Sequence, residues 1–209
     1  MTSPAPSADE PVYQDRVYRS PMAMVGGVLL LALVVWLCGD AVVRGTGNEP
    51  WFGVAALLLV VPLAVAFTLR PAVYANADRM RVRNPFRTIV LPWAAVESLR
   101  SGYSAEVYTE DAKYQLWAIP VSLRDRKKAN RQIARREALA RKGETDPQLL
   151  GQDTPRAQAD KHVDELRELA ENGAKREGAQ GPAAVRWAYE IIAPAVAGAV
   201  LLTVLLATR

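Results

Sequence analysis

The sequence holds one cysteine and one histidine in 209 residues. A lone cysteine, Cys38, has no intrachain disulfide partner. His162 stands beside Lys161 on a charged stretch, with no second histidine to complete a metal or acid–base site, so it reads as a solvated helix residue. A glycine-rich phosphate loop is missing too. Gly26 and Gly27 lie within an apolar run, and Gly143 lacks the flanking pattern of such a loop. There is no G-x-S-x-G elbow. The carboxylate pairs Glu110-Asp111 and Asp164-Glu165 fall in a turn and on a polar helix, where water solvates them. With no reaction centre in view, neither an enzymatic activity nor a cofactor nor a metal is expected.

Charge is also missing, in three places. Met22–Gly39, Trp51–Leu69 and Ile191–Thr208 contain no Asp, Glu, Lys or Arg, and each is 18 or 19 residues long. A bilayer core of about 30 Å needs roughly 20 apolar helical residues. These runs exclude a freely soluble chain. The first is not a signal peptide, because Asp9, Glu10 and Asp15 outnumber Arg16 and Arg19 ahead of it and the run is long. Ionisable residues are absent from the middle of every span. Asp40, Arg44 and Glu190 sit at the ends, whereas pumps and ion paths need such groups at depth. Gly26-Gly27 and the pair Ala195 and Ala199 offer small surfaces for close helix contact, and Pro62 and Pro194 are potential kinks.

Orientation follows from basic residues at the span ends. The short link between the first two spans holds only Arg44. Arg16 and Arg19 precede the first span, and Arg70, Arg79, Arg81 and Arg83 follow the second. The N-terminus and residues 70–186 are therefore expected on the cytoplasmic side of a plasma membrane, in a multi-pass chain. The expected layout is a tail at 1–20, a span at 21–43, an outer link at 44–50, a second span at 51–70, a β domain at 71–121, a charged helical segment with linkers at 122–182, and a third span at 183–208.

Residues 72–121 carry strand patterns. Arg79-Met80-Arg81-Val82-Arg83 alternates with period two, which puts Met80 and Val82 on one face and three arginines on the other. Asn84-Pro85 interrupts it as a turn would. Thr88–Leu91 is β-branched, Tyr103–Thr109 alternates again, and Glu110-Asp111 leads into Lys113–Ile119. The gaps are too short for crossover helices, so an antiparallel sheet of about six strands is expected, curled or covered on its apolar face. Trp93, between strands and after Pro92, reads as its core residue.

The stretch Asp78-Arg79-Met80-Arg81-Val82-Arg83-Asn84-Pro85-Phe86-Arg87, with Leu91-Pro92-Trp93 and Val96 after it, resembles the bacterial pleckstrin-homology-like (PH-like) domain of the actinobacterial low-molecular-weight protein antigen 6 family. The likeness covers residues 20–121. That family places two membrane helices before a small β domain, the order met here. The resemblance implies a membrane α+β chain with a curled antiparallel PH-like sheet, and a binding or scaffolding role by analogy. The charged segment and the third span depart from the family pattern.

Arg124–Lys142 holds nine basic residues against Asp125 and Glu137. Ala159, Val163, Leu166 and Ala170 then recur at helical spacing after Thr154-Pro155, a good helix start. Candidate contacts for an anionic surface are Arg79, Arg81, Arg83, Arg124, Arg126, Lys127, Lys128, Arg131, Arg135 and Arg136. The partner expected is the membrane itself, with a protein or an anionic lipid bound by the β domain. Nucleic acid or the ribosome is a weaker alternative, because the basic run lacks interleaved aromatics for base stacking. An accessory subunit of a membrane transporter or enzyme is the other.

Overall fold

The computed structural model describes residues 15–121 and 158–208, with Lys127, Asn130, Arg131, Ile133 and Ala134 between them. Eight strands and four α-helices have both bounds within these residues, and Lys127, Asn130, Arg131, Ile133 and Ala134 are helical too. The eight strands and four helices are β1 (Arg16–Tyr18), α1 (Pro21–Arg44), α2 (Glu49–Ala64), β2 (Ala72–Ala75), β3 (Arg79–Arg83), β4 (Arg87–Pro92), β5 (Ser98–Ser101), β6 (Ala105–Tyr108), β7 (Lys113–Gln115), α3 (Gln158–Gly173), β8 (Ala184–Trp187) and α4 (Tyr189–Ala207).

Three helical stretches, Pro21–Arg44, Glu49–Leu69 and Tyr189–Ala207, are long and apolar enough to cross a membrane. Ser20 caps α1, its hydroxyl accepting from the Ala23 amide. Pro62 lies inside α2, and the last turn, Val65–Leu69, widens to a π-helix. Helix α2 packs against both α1 and α4. Glycine sets the closeness. A Cβ on Gly198 of α4 would stand 2.5 Å from the Leu59 backbone nitrogen. One on Gly27 of α1 would overlap the Thr68 side chain, whereas Gly26 faces open space. Ala195, on the same side of α4 as Gly198, is buried.

The strands form two antiparallel sheets rather than one. Five strands run in the order β1-β2-β3-β4-β8, and three in the order β5-β6-β7. The chain changes sheet at the 3-10 turn Trp93–Ala95, directly after Pro92 ends β4. Two strands depart from the expected layout. Arg16–Tyr18, placed by the sequence in the tail, pairs with β2 from Arg16↔Ala75 to Tyr18↔Val73. Ala184–Trp187, placed by the sequence in the third span, pairs with β4 from Arg87↔Trp187 to Val90↔Ala184. The third apolar helix begins only at Tyr189.

The register puts Tyr18, Val73, Ala75, Met80, Val82, Ile89 and Leu91 on the inner face of the larger sheet. They share one core with Leu99, Ala105 and Val107 of the smaller sheet and with Trp93, Leu116 and Ile119. Helix α3 completes it. Its stripe Ala159, Val163, Leu166 and Ala170 is buried in the same core, so this helix is a lid on the sheets and not a solvated rod. His162 lies on it half-buried, its ring tilted against Tyr18 with centroids 5.0 Å apart. Trp93 is fully buried, and its indole N–H donates to the Asn76 carbonyl at 2.8 Å.

Candidate anionic-ligand face and its membrane joints

The larger sheet is fused to all three apolar helices. Two residues, Arg19 and Ser20, join β1 to α1. Arg70 and Pro71 join the end of the second apolar stretch to β2, and Ala188 alone joins β8 to α4. All three joints therefore lie at one end of the sheet, and β1, β2 and β8 stand on one side of any membrane these helices cross.

Arg70 braces that end. Its guanidinium donates to the Asn84 carbonyl at 3.2 Å, to the Thr88 hydroxyl at 3.2 Å and to Glu190 at 2.9 Å. One side chain thus ties the close of the second apolar helix to the β3–β4 turn, to β4 and to the head of α4. The planar five-donor fork suits this task, which a lysine ammonium would not reproduce. Asn84 is the buried polar residue of the turn. Its side-chain amide donates to the Gln115 carbonyl at 2.9 Å, and its own backbone N–H donates to Arg87. Asn84 therefore links the two sheets at their membrane-side end. Sequence reasoning read it only as a turn former.

On the inner side of this end, aromatic rings meet. Phe67, from the π-helical turn, packs edge-on against Phe86 with centroids 5.4 Å apart, and against Trp117 at 5.6 Å. Trp117 belongs to the loop after β7, so that loop touches the apolar helix directly. Trp187 and Tyr189 are exposed beside the Ala188 joint. Such rings suit the membrane–water interface, where one side is apolar and the other wet.

The outer face of the larger sheet carries the arginines. Arg81 stands opposite Tyr74, and Arg83 opposite Ala72. The guanidiniums of Arg81, Arg83 and Arg19 lie 4.6, 5.4 and 5.9 Å from the Tyr74 ring centroid. Arg186 follows on the same face, opposite Thr88. Arg79 lies further from the joints and donates to the Gly178 carbonyl at 3.4 Å. The structure thus brings Arg81 and Arg83 together and adds Arg19, which the sequence offered only as an orientation signal. Lys127 and Arg131 are helical and exposed. Arg124, Arg126, Lys128, Arg135 and Arg136 lie outside the described residues.

Three other sites are less suited to a ligand. Tyr18 donates to Glu165 at 2.9 Å, and burial first, then this hydrogen bond, push its hydroxyl up to about 12. That pair joins α3 to β1. On the exposed face of β6, hydrogen bonds from Tyr108 and Ser104 hold the Glu106 carboxyl below its ordinary range. At the far end of α1 and α2, a concavity of about 540 Å³ is lined by Leu37, Cys38, Asn48 and Phe52. No group of three His, Cys, Asp or Glu among the described residues is placed to hold a metal ion.

Comparison with curated proteins and with solved structures gave no match. Among protein families, the model described as the bacterial PH domain matches residues 70–169. The match spans β2 to β7 and most of α3, the two-sheet core with its helical lid. It stops short of β1 and β8, the two strands that carry the chain into α1 and α4. The chain is a mixed α+β, membrane-associated protein whose segment 70–169 is a PH-like domain similar to the bacterial PH domain family.

Proposed function

We propose that this protein is a non-enzymatic scaffold at the inner face of a bacterial plasma membrane, holding its PH-like domain against the lipid surface for interaction with anionic lipid or a protein partner. The observation that carries this reading is the set of joints, at most two residues each, between the five-stranded sheet and three apolar helices. A domain mounted so directly cannot swing away from the bilayer. Its outer-face arginines stay within a few residues of the headgroups, well inside the screening length of about 10 Å at 0.1 M salt for the nearest of them. The cytoplasmic side is supported by the arginines at the span ends, since only Arg44, the last residue of α1, stands at the opposite ends of α1 and α2. The likeness of Arg79–Arg87 and Leu91-Pro92-Trp93 to the antigen 6 family, whose β domain also follows two membrane helices, supports the same arrangement.

Thiol labelling of intact cells tests it, in a Cys38→Ser background. Asn48→Cys should react with an impermeant reagent added outside, and Gly143→Cys only after the membrane is opened. Outside labelling of Gly143→Cys would overturn the reading.

A further inference from the structure

Three cations converge on one ring at the joint between β1 and α1. Besides stacking near Tyr74, Arg19 donates to the Tyr74 hydroxyl at 2.6 Å. A guanidinium stacked on a tyrosine keeps its N–H edge free for an acceptor, and the ring holds its plane in place. Among the described residues the compensating charge is one carboxylate. Asp15 accepts from Arg81 at 3.3 Å and from the Asn76 amide at 3.2 Å. Three like charges against one opposite charge repel one another unless an anion joins them. The Arg81 side chain is 42% exposed, so its outer N–H groups can meet an incoming anion, while its Nε is shut off from solvent and meets no acceptor among the described residues.

The location narrows the ligand. Arg19 is two residues ahead of Pro21, where α1 begins, and Arg83 faces Ala72, three residues past Leu69. This is the level at which the chain leaves the apolar layer, where lipid phosphates lie. Arginine forks pair with phosphate through two parallel hydrogen bonds. We propose that Arg19, Arg81 and Arg83, gathered over Tyr74, form a binding site for a phosphate group, supplied by an anionic lipid headgroup of the adjoining leaflet. The site rests on the scaffold reading above in one respect, that this face meets an anionic leaflet.

The test uses the full chain in neutral detergent micelles, with arginine side chains isotope-labelled and followed by NMR. The probes are dioctanoyl phosphatidylglycerol, dioctanoyl phosphatidylcholine and inorganic phosphate. Phosphatidylglycerol should shift the Arg81 Nε signal and bind about tenfold more tightly than phosphatidylcholine, and removing one charge should weaken it about fivefold. That loss is expected for Arg81→Gln and Arg83→Gln but not for Arg79→Gln, which sits outside the cluster. Arg81→Lys keeps the charge without the fork, and should bind more weakly than the parent while melting at the same temperature. Equal binding of both lipids, or an equal loss from Arg79→Gln, would overturn the site. Saturation by inorganic phosphate as tight as by phosphatidylglycerol would overturn the lipid source and leave a soluble phosphate compound. Displacement of the lipid by an acidic peptide at equal affinity would make the cluster a protein-docking patch, against the proposal. The thiol labelling separates the two readings. Gly143→Cys shielded in intact cells, with no headgroup preference, sinks the site alone. Gly143→Cys labelled from outside sinks the scaffold reading whatever the arginines bind.

Discussion

Replacing Trp93 with alanine probes the whole core of the PH-like domain. The indole is fully buried where the chain passes from one sheet to the other. Gly173, the last residue of α3, lies so close that a Cβ on it would stand 2.5 Å from the ring. The ring thus fills the space between the sheet corner and the end of the lid helix. Truncating a buried Trp to Ala costs about 3–5 kcal/mol, from lost transfer energy and the void left behind. A domain has roughly 5–15 kcal/mol in total, so the loss takes a large share. Trp93→Phe keeps a ring but gives up the hydrogen bond to Asn76, at a cost of about 1–2 kcal/mol. Pulse proteolysis of the full chain in detergent, across a urea series, reads these differences as shifts in midpoint. With a slope of about 1–3 kcal/mol per molar urea, the alanine variant should shift by on the order of 1–5 M. The expected order of stability is parent, then Phe, then Ala, and α3 should be cut before the apolar helices. An alanine variant with the parent's midpoint would show that the ring does not hold the lid, and the reasoning would fail.

Raising the pH tests the Tyr18–Glu165 contact. The folded state holds the Tyr18 proton more tightly than the unfolded chain, with a hydroxyl near 12 against the ordinary 10. The stability this gives is present below pH 10 and is lost as pH rises from 10 to 12. The parent's urea midpoint should fall more steeply over that window than that of Tyr18→Phe, and equal slopes would dismiss the effect. Gly198→Val should loosen α4 from α2 at a cost of about 1–3 kcal/mol, because the Leu59 backbone cannot yield. Its thermal midpoint in detergent should drop, while Gly26→Val, which meets open space, should melt like the parent. Asn84→Ala leaves the Gln115 carbonyl without its donor and should cost about 1–3 kcal/mol. Faster backbone hydrogen exchange in β7 is the readout, and unchanged exchange would place the link between the sheets elsewhere.

Local pattern carried much of this fold. The alternation of Arg79–Arg83 marked β3 and its two faces, and the charge-free runs marked the three long helices. The stripe Ala159, Val163, Leu166 and Ala170 marked α3 as amphipathic, but its polar surroundings hid the fact that its apolar side closes a core. The strands β1 and β8 were not legible. Each is three or four residues long, lies against an apolar run, and is defined by backbone pairing with a strand distant in sequence. Arg19 joined the cluster for the same reason, since only the β1–β2 register brings it to Tyr74. The change of sheet at Trp93 was hidden because a corner and a hairpin turn carry similar residues.

The short joints have a mechanical consequence. Strand pairs and membrane helices usually settle their positions independently, but here each ladder clamps a helix. If α1 slid along α2 by one strand residue, about 3.3 Å, the register of β1 on β2 would slip by one. Tyr18 would turn out of the core, and Val17 would turn in. A slip of α4 would likewise move the β8–β4 register by one, although the β8 side chains are exposed. The heights of three helices in the bilayer are therefore quantised by the pleat of a sheet outside it. Between β1 and β8 lie four strand spacings, roughly 19 Å, so the sheet also acts as a crossbar that fixes how far apart the heads of α1 and α4 stand.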